Sequence, residues 1–434
     1  MTVDRVRGTP NEGLLGATLG FFVGFAAVSL FGPTAQRFQE AMGLNPIMVG
    51  LLVAAPALSG SLLRIPFGAW VDTTGGRRPF LILLVLSFAG MAGLLTVSWA
   101  LYPDHLTASF YPLVIFLGVL SGCGIATFSV GIGQVSYWFP PDRQGGALGA
   151  YAGLGNLAPG LFAFLLPISL VHWGLTGSYL AWLVLLGAGI VVYYVTGLNA
   201  PYFQLRAQGV AADEARNVAR ERGQEIFPAG GAAEGLGIAA RKWKTWALVV
   251  IYFTTFGGFI ALTAWFPTYW VSFFGLSLAT AGLLTAMYSV GASIIRVPGG
   301  VAADRLGGEI TAIGSLLVML AGALLLTLSH RYGLSFLGAI LMAIGMGVAN
   351  AAVFKLVPQE VKEAVGGAAG WVGGLGAFGG FAIPPLLGVF VRAQGSPGYA
   401  SGFVIFVLLA AASLALAFVL RATRVGPVAT LNQQ

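Results

Sequence analysis

The chain has 434 residues, 57% of them hydrophobic and only 9% charged, where a soluble domain carries roughly 25% charged residues. That balance excludes a soluble globular protein and describes a chain that crosses the membrane many times. The formal charge of +7 is no nucleic-acid signal, because the basic residues follow the loops, and one cysteine, Cys123, excludes a disulfide framework or a thiolate metal site.

In chain order, residues 1–12 are polar, and no cleavage-site pattern follows a signal-length apolar run, so the first apolar run is read as a retained helix. Twelve apolar runs are predicted at 14–36, 47–71, 79–99, 110–138, 146–170, 178–198, 245–272, 278–303, 311–329, 333–356, 364–391 and 399–420. In hydrocarbon each must be a helix, because no other open structure satisfies its own backbone. One long polar stretch, 199–242, separates the sixth run from the seventh. Its LRAQGVAADEARNVARERGQEIF suits a surface helix, and the following PAGGAAEGLG reads as flexible. The expected organisation is therefore an N-terminal six-helix bundle (1–198), a cytoplasmic linker (199–243) and a C-terminal six-helix bundle (244–434). With both termini inside, Arg37, Arg331 and Arg392 fall outside, and Arg64 and Arg296 fall within apolar runs. Every other one of the 22 Lys and Arg then lies on the cytoplasmic face.

The two buried arginines share a frame. Ser61–Asp72, SLLRIPFGAWVD, is echoed by Ser293–Asp304, SIIRVPGGVAAD. In both, proline follows the arginine by two residues, glycine by four and aspartate by eight. At 1.5 Å per residue each arginine lies about 12 Å deeper than its aspartate. A cation there costs about 2.5–3.5 kcal/mol or more and calls for a partner. No carboxylate lies within the apolar runs, so the partner is read as an anion that comes and goes; the bland alternative is a clamp on backbone carbonyls. The duplication extends further. Gly145, Gly149, Gly153 and Gly155 recur as Gly366, Gly370, Gly374 and Gly376, as in transporters built from two related halves.

Other motifs carry less. Gly374–Gly379 spells GxGxxG with no strand before it, so no dinucleotide site is expected. His105, His172 and His330 are too scattered for a metal. The apolar runs hold no nucleophile or acid–base pair. We expect no metal, no cofactor and no enzyme activity.

GAWVDTTGGRR (68–78) resembles the loop motif between helices two and three of the major facilitator superfamily, and GVAADRLGG (300–308) resembles its second copy. AGLGNLAPG (152–160) and GWVGGLGAFGG (370–380) resemble signature segments of the nitrate/nitrite porter (NarK-like) family. NAAVFKLVP (350–358) and YFTTFGGF (252–259) are similar to that family as well.

The resemblance implies an all-α membrane protein of twelve transmembrane helices in two pseudo-symmetric six-helix bundles. It implies nitrate and nitrite transport by alternating access in the cell's inner membrane, by a monomer in the lipid bilayer, with no nucleic-acid partner. Carried over by position, Arg64 and Arg296 correspond to the substrate arginines and Asn156 to the fifth-helix asparagine. Phe128, Tyr252 and Phe256 correspond to rings flanking the anion, and Phe25 is the first-helix ring, with Phe22 the second choice. Gly149, Gly153, Gly155, Gly370, Gly374 and Gly376 would let backbones close as the halves rock. Asp72, Arg77 and Asp304 would hold the cytoplasmic end shut. The chain departs from the family at Thr127, where an asparagine is expected, and at Ala377, opposite Asn156.

The physics supports the same reading independently. Nitrate and nitrite are small and planar, and a guanidinium presents a rigid planar fork of donors to such oxygens. Two arginines that need an anion to approach one another favour nitrate/nitrite exchange over proton symport. The other transport reading is a different small anion, such as formate or oxalate.

Overall fold

The structure is a computed structural model that describes residues 6–228 and 232–423. Arg5 and Arg424, two of the basic residues assigned to the cytoplasmic face, lie outside them. Eleven helices among the described residues are long and apolar enough to cross a membrane. One is too long for a single crossing. Arg143–Thr196 has 54 residues, about 80 Å at 1.5 Å per residue, against a hydrocarbon core of about 30 Å. It is broken at Gly174, whose φ of 63° and ψ of −171° are non-helical and suit a residue without Cβ. The Ser169 and Ser178 hydroxyls meet at 2.9 Å across that break, whereas nine residues of straight helix would hold them about 13 Å apart. The chain therefore reverses at Gly174. Where the sequence pattern places a loop at 171–177, one left-handed glycine suffices.

Twelve crossings result among the described residues: α1 Pro10–Ser29, α2 Pro46–Thr74, α3 Arg77–Leu101, α4 Ala108–Ser136, α5 143–173 and α6 175–196. The second set is α7 Trp243–Phe274, α8 Leu278–Leu306, α9 Gly308–Leu328, α10 Tyr332–Glu360, α11 Lys362–Gln394 and α12 Gly398–Ala422. Across the two sets α2 packs on α11 and α5 packs on α8. Helix α7 is buried continuously from Gly258 to Trp270. A helix apolar on every side belongs at a bundle's centre.

The two sets are pressed together at one end and parted at the other. At the closed end a Cβ on Gly50 would lie 2.5 Å from the Pro384 carbonyl oxygen, and one on Gly282 would lie 2.5 Å from that of Ala163. One on Gly32 would lie 2.7 Å from the Ala264 carbonyl oxygen. Backbone meets backbone there, as small residues permit in membrane helices. At the opposite end Gly145, Gly149 and Gly153 of α5 and Gly366 of α11 face open space. Between the parted ends lies a cavity of about 550 Å³, whose lining includes Arg64, Asp72, Phe128, Phe354, Glu234 and Glu363.

The linker reaches into this open mouth. Its first part forms two helices, Pro201–Ala207 and Ala212–Glu221, where the sequence suggests one surface helix. Gly209, at φ 88°, separates them. The guanidinium groups of Arg216 and Arg220 lie 5.4 and 5.8 Å from the Phe227 ring. The expectation of flexibility over 228–237 is corrected in part: residues 229–231 lie outside the described ones, but Ala232–Ala240 is a helix. Its glycines give it poor intrinsic propensity, so packing holds it. Trp371 Nε1 donates to the Leu236 carbonyl at 3.0 Å, and the Gly235 backbone rests on Gly367 of α11.

Candidate functional site

Arg64 begins the second segment of α2, just after the chain tightens at Leu63. It is 1% exposed. Its Nε donates to the Gly60 carbonyl at 3.0 Å and its Nη1 to the Gly373 carbonyl of α11 at 3.3 Å. Its Nη2 is buried with no partner. A fully buried cation with one donor unmet is the costly arrangement the sequence foreshadows, with a carbonyl clamp covering only part of the fork. Arg64 Cζ lies 4.9 Å from the Phe128 ring and 5.1 Å from the Phe256 ring. Arg296, from α8, brings its Cζ to 6.0 Å from the same Phe256 ring. The repeat thus aims both guanidinium groups at one aromatic side chain. Neither takes part in the ion pairs Lys242–Glu363, Lys244–Glu360 and Lys355–Asp304.

Helix α7 supplies that ring through a local irregularity. Phe253–Gly257 is a π-helical turn, a form frequent at functional sites. Thr254 and Thr255 bond back to the carbonyls of Val250 and Ile251 at 3.0 and 2.9 Å, which loosens the regular ladder. At Gly257 the α11 backbone approaches so closely that a Cβ would lie 2.6 Å from the Gly376 carbonyl oxygen. The turn stacks Phe256 on Tyr252 (4.9 Å between centroids, 9° between planes). Phe256 also stacks on Phe25 (6.3 Å, 4°) and on Phe128 (5.9 Å, 29°). All four rings are buried, and the Tyr252 hydroxyl is turned toward Arg296. Phe25 rather than Phe22 is the α1 residue in this group.

Two residues that sequence reasoning passes over stand behind these rings. The Tyr151 hydroxyl donates to the carbonyls of Thr127 (3.0 Å) and Phe128 (3.2 Å), which fixes the start of the helix segment bearing Phe128. Its ring stacks on Phe21 at 5.1 Å. An aromatic residue in an apolar run carries no marker of such a role.

Asn156 is 2% exposed and its Oδ1 has no partner. It lines a small chamber beside Arg296 with Ser293 and Asn350. Asn350 belongs to the same group; its advance signals are that amides are rare in apolar runs and that it opens the family-like segment 350–358. At the two family departures, the Thr127 hydroxyl donates to the Gly124 carbonyl at 2.6 Å, and Ala377 is buried.

The glycines divide by position. A Cβ on Gly155 would enter the Phe21 ring; one on Gly376 would lie 2.6 Å from Tyr252, and one on Gly374 would lie 2.5 Å from Ile65. Gly370 faces linker Leu236 at 3.2 Å, whereas Gly149 and Gly153 have nothing within 4 Å. Asp72, Arg77 and Asp304, from the repeated loops, each bond within their own half. The Asp72 carboxylate accepts from the Tyr137 hydroxyl at 2.7 Å, Arg77 donates to the Tyr194 carbonyl at 2.6 Å, and Asp304 pairs with Lys355 at 2.5 Å. None of the three spans the open mouth. Among the described residues no His, Cys, Asp and Glu cluster could hold a metal. The arrangement presents guanidinium, amide and hydroxyl donors between flat apolar walls, and it can hold a small planar anion.

Comparison with known proteins places this geometry. A model described as Major Facilitator Superfamily matches residues 17–282 and again 271–433. A relative from Thermus thermophilus, described as "Probable nitrate/nitrite antiporter NarK1", is 32% identical over 91% of this chain and 88% of its own length. The chain belongs to the NarK-like family of the major facilitator superfamily. Another member, a "Probable nitrate transporter NarT" of Staphylococcus epidermidis, is 28% identical over 86% of this chain and 87% of its own. The xylose transporter XylE of E. coli, solved in a partially occluded inward-open conformation, superposes with a TM-score of 0.71. It covers 96% of this chain and 100% of its own at 15% identity, a likeness of fold alone. Like the rest of the family, the protein is a multi-pass membrane transporter and not an enzyme.

Proposed function

We propose that the chain carries nitrate and nitrite across the inner membrane by alternating access, exchanging one anion for the other. The observation that carries this reading is the pair Arg64 and Arg296. They come from equivalent repeat positions and converge on the Phe256 ring with no carboxylate partner. A planar anion seated against that ring would take the free Nη2 of Arg64 and relieve the repulsion between the two cations. Phe25, Phe128 and Tyr252 would keep water from it, and Asn156 would address its edge. The family's printed names support the choice of substrate.

In this reading both termini are cytoplasmic, and the open mouth with Asp72, Arg77 and Asp304 faces the cytoplasm. The bundles are 1–198 and 244–434, joined by 199–243, and one copy suffices for the cycle. With the anion bound, the mouth closes on the glycines of α5 and α11 while the opposite end opens.

Exchange follows from the electrostatics. Asp72, the nearest carboxylate on α2, is about 12 Å along the helix from Arg64, and Glu234 and Glu363 line the cavity from the linker and α11, so no carboxylate beside the arginines on their own helices neutralises them during the return. The test is nitrate uptake into liposomes preloaded with nitrite or left empty, each with and without an inward proton gradient. Rapid uptake only into nitrite-loaded vesicles is expected, with formate and oxalate competing poorly. Gradient-driven accumulation in empty vesicles would replace exchange with proton symport.

A further inference from the structure

We infer that Asn350 is a specificity-determining residue that separates three-oxygen from two-oxygen anions; this rests on the transport reading above. The chamber beside Arg296 holds two carboxamides, Asn156 from the first six helices and Asn350 from the last six. Asn350 is 4% exposed, and like Asn156 it leaves its Oδ1 unpartnered. Buried amides in membrane bundles ordinarily bond across to another helix. The side-chain oxygens of these two do not. The neighbouring Ser293 hydroxyl is committed elsewhere, donating to the backbone carbonyls of Asn156 at 3.0 Å and Ser289 at 2.8 Å. A half-turn of the carboxamide exchanges its oxygen for its NH2, so either amide can turn donors toward an anion.

The repeat has Ala377 where a second amide would mirror Asn156, and α10 supplies one instead from a different place. This makes the donor set lopsided. Arg64 addresses the anion from one side with its free Nη2, and Arg296 and Asn350 address it from the other. Nitrate turns an oxygen toward Asn350. Nitrite held the same way turns its nitrogen lone pair, a weaker acceptor, toward it. Nitrate therefore depends on the Asn350 donor more than nitrite does.

The experiment compares purified wild-type protein with Asn350→Ala and Asn350→Ser, reading thermal stabilisation by nitrate and by nitrite and competition of each against labelled nitrate uptake. For Asn350→Ala the apparent nitrate affinity is expected to fall about tenfold or more, as for a lost hydrogen bond to a charged group, with nitrite changed less than about twofold. Asn350→Ser, which keeps a short donor, should recover part of the nitrate affinity. An equal loss for both anions would assign Asn350 a packing role and overturn the inference, as would an unchanged ratio. Failure of the wild-type protein itself to bind nitrate or nitrite would instead overturn the transport reading, and this inference with it.

Discussion

Replacing Arg64 by lysine is expected to reduce nitrate transport at least about a hundredfold while the protein still inserts and purifies as a monodisperse species. The guanidinium does several things at once. It donates to the carbonyls of Gly60 and Gly373, lies against the Phe128 and Phe256 rings, and leaves Nη2 for an anion. A lysine ammonium keeps the charge, but it is a compact point on a flexible stem and cannot divide itself among these partners. Losing even one hydrogen bond between charged groups costs about 1.5–3 kcal/mol, and about 2.7 kcal/mol corresponds to the hundredfold. Arg296→Lys should be damaging for the same reason but less so, because Arg296 is only partly buried. Uptake into proteoliposomes, normalised to reconstituted protein, is the measurement. Near wild-type uptake by either lysine variant would show that charge alone suffices at that position.

Gly50→Leu and Gly153→Leu should each stop transport, and should do so by trapping opposite conformations. At Gly50 any Cβ meets the backbone of Pro384 and Pro385 at 2.5–2.8 Å, and backbone cannot move aside as a side-chain tip can. The closed end must therefore open, and the wide mouth must narrow. At Gly153 nothing lies within 4 Å, so leucine fits the present conformation and obstructs only the one in which α5 closes. Accessibility separates the two. Cys123 is the lone cysteine and is buried; replaced by serine, it leaves a background for Ser129→Cys, which lines the open cavity. Labelling of that cysteine by a membrane-impermeant thiol reagent applied from the mouth side should fall about tenfold or more with Gly50→Leu. With Gly153→Leu it should stay at or above the parental rate. Equal labelling in both backgrounds would show that these glycines do not govern which end is open.

The parts of this molecule that sequence makes legible are those where an expensive residue sits in a cheap background. Arg64 and Arg296 stand out because a cation in an apolar run has few explanations, and their shared spacing to proline, glycine and aspartate reveals the repeat. Helix positions are legible for the same reason, since a bilayer enforces length. What stays hidden is whatever resembles its background. Phe21 and Tyr151 support the site yet look like any membrane aromatic, and in helices apolar all round the 3.6-residue period cannot say which face a ring takes. Gly32, Gly50 and Gly282 make the closed end, but among 64 glycines only distance singles them out. Gly149 and Gly153 are visible as part of a motif, yet they touch nothing here, because a motif encodes the whole cycle and one conformation displays part of it. The helix at Ala232–Ala240 is illegible for another reason: α11 holds it in place, and local composition opposes it.

The π turn at Phe253–Gly257 makes the site sensitive to chain length as well as to residue identity. Such a turn is one residue more than an α-helix needs, and each residue of an α-helix advances about 100°. Deleting Phe253, Thr254 or Thr255 would leave the chemistry of its neighbours intact and let α7 relax into a regular helix. The flanking segments would keep nearly their present phase, because the π turn spends its extra residue on a wider turn, but Phe256 would lose the wide turn that lays it flat on Tyr252. Substitutions here can be graded and partly tolerated, whereas single-codon deletions and insertions cannot. Lineages that keep this transport activity should therefore vary in sequence across α7 while preserving the residue count between Tyr252 and Gly258.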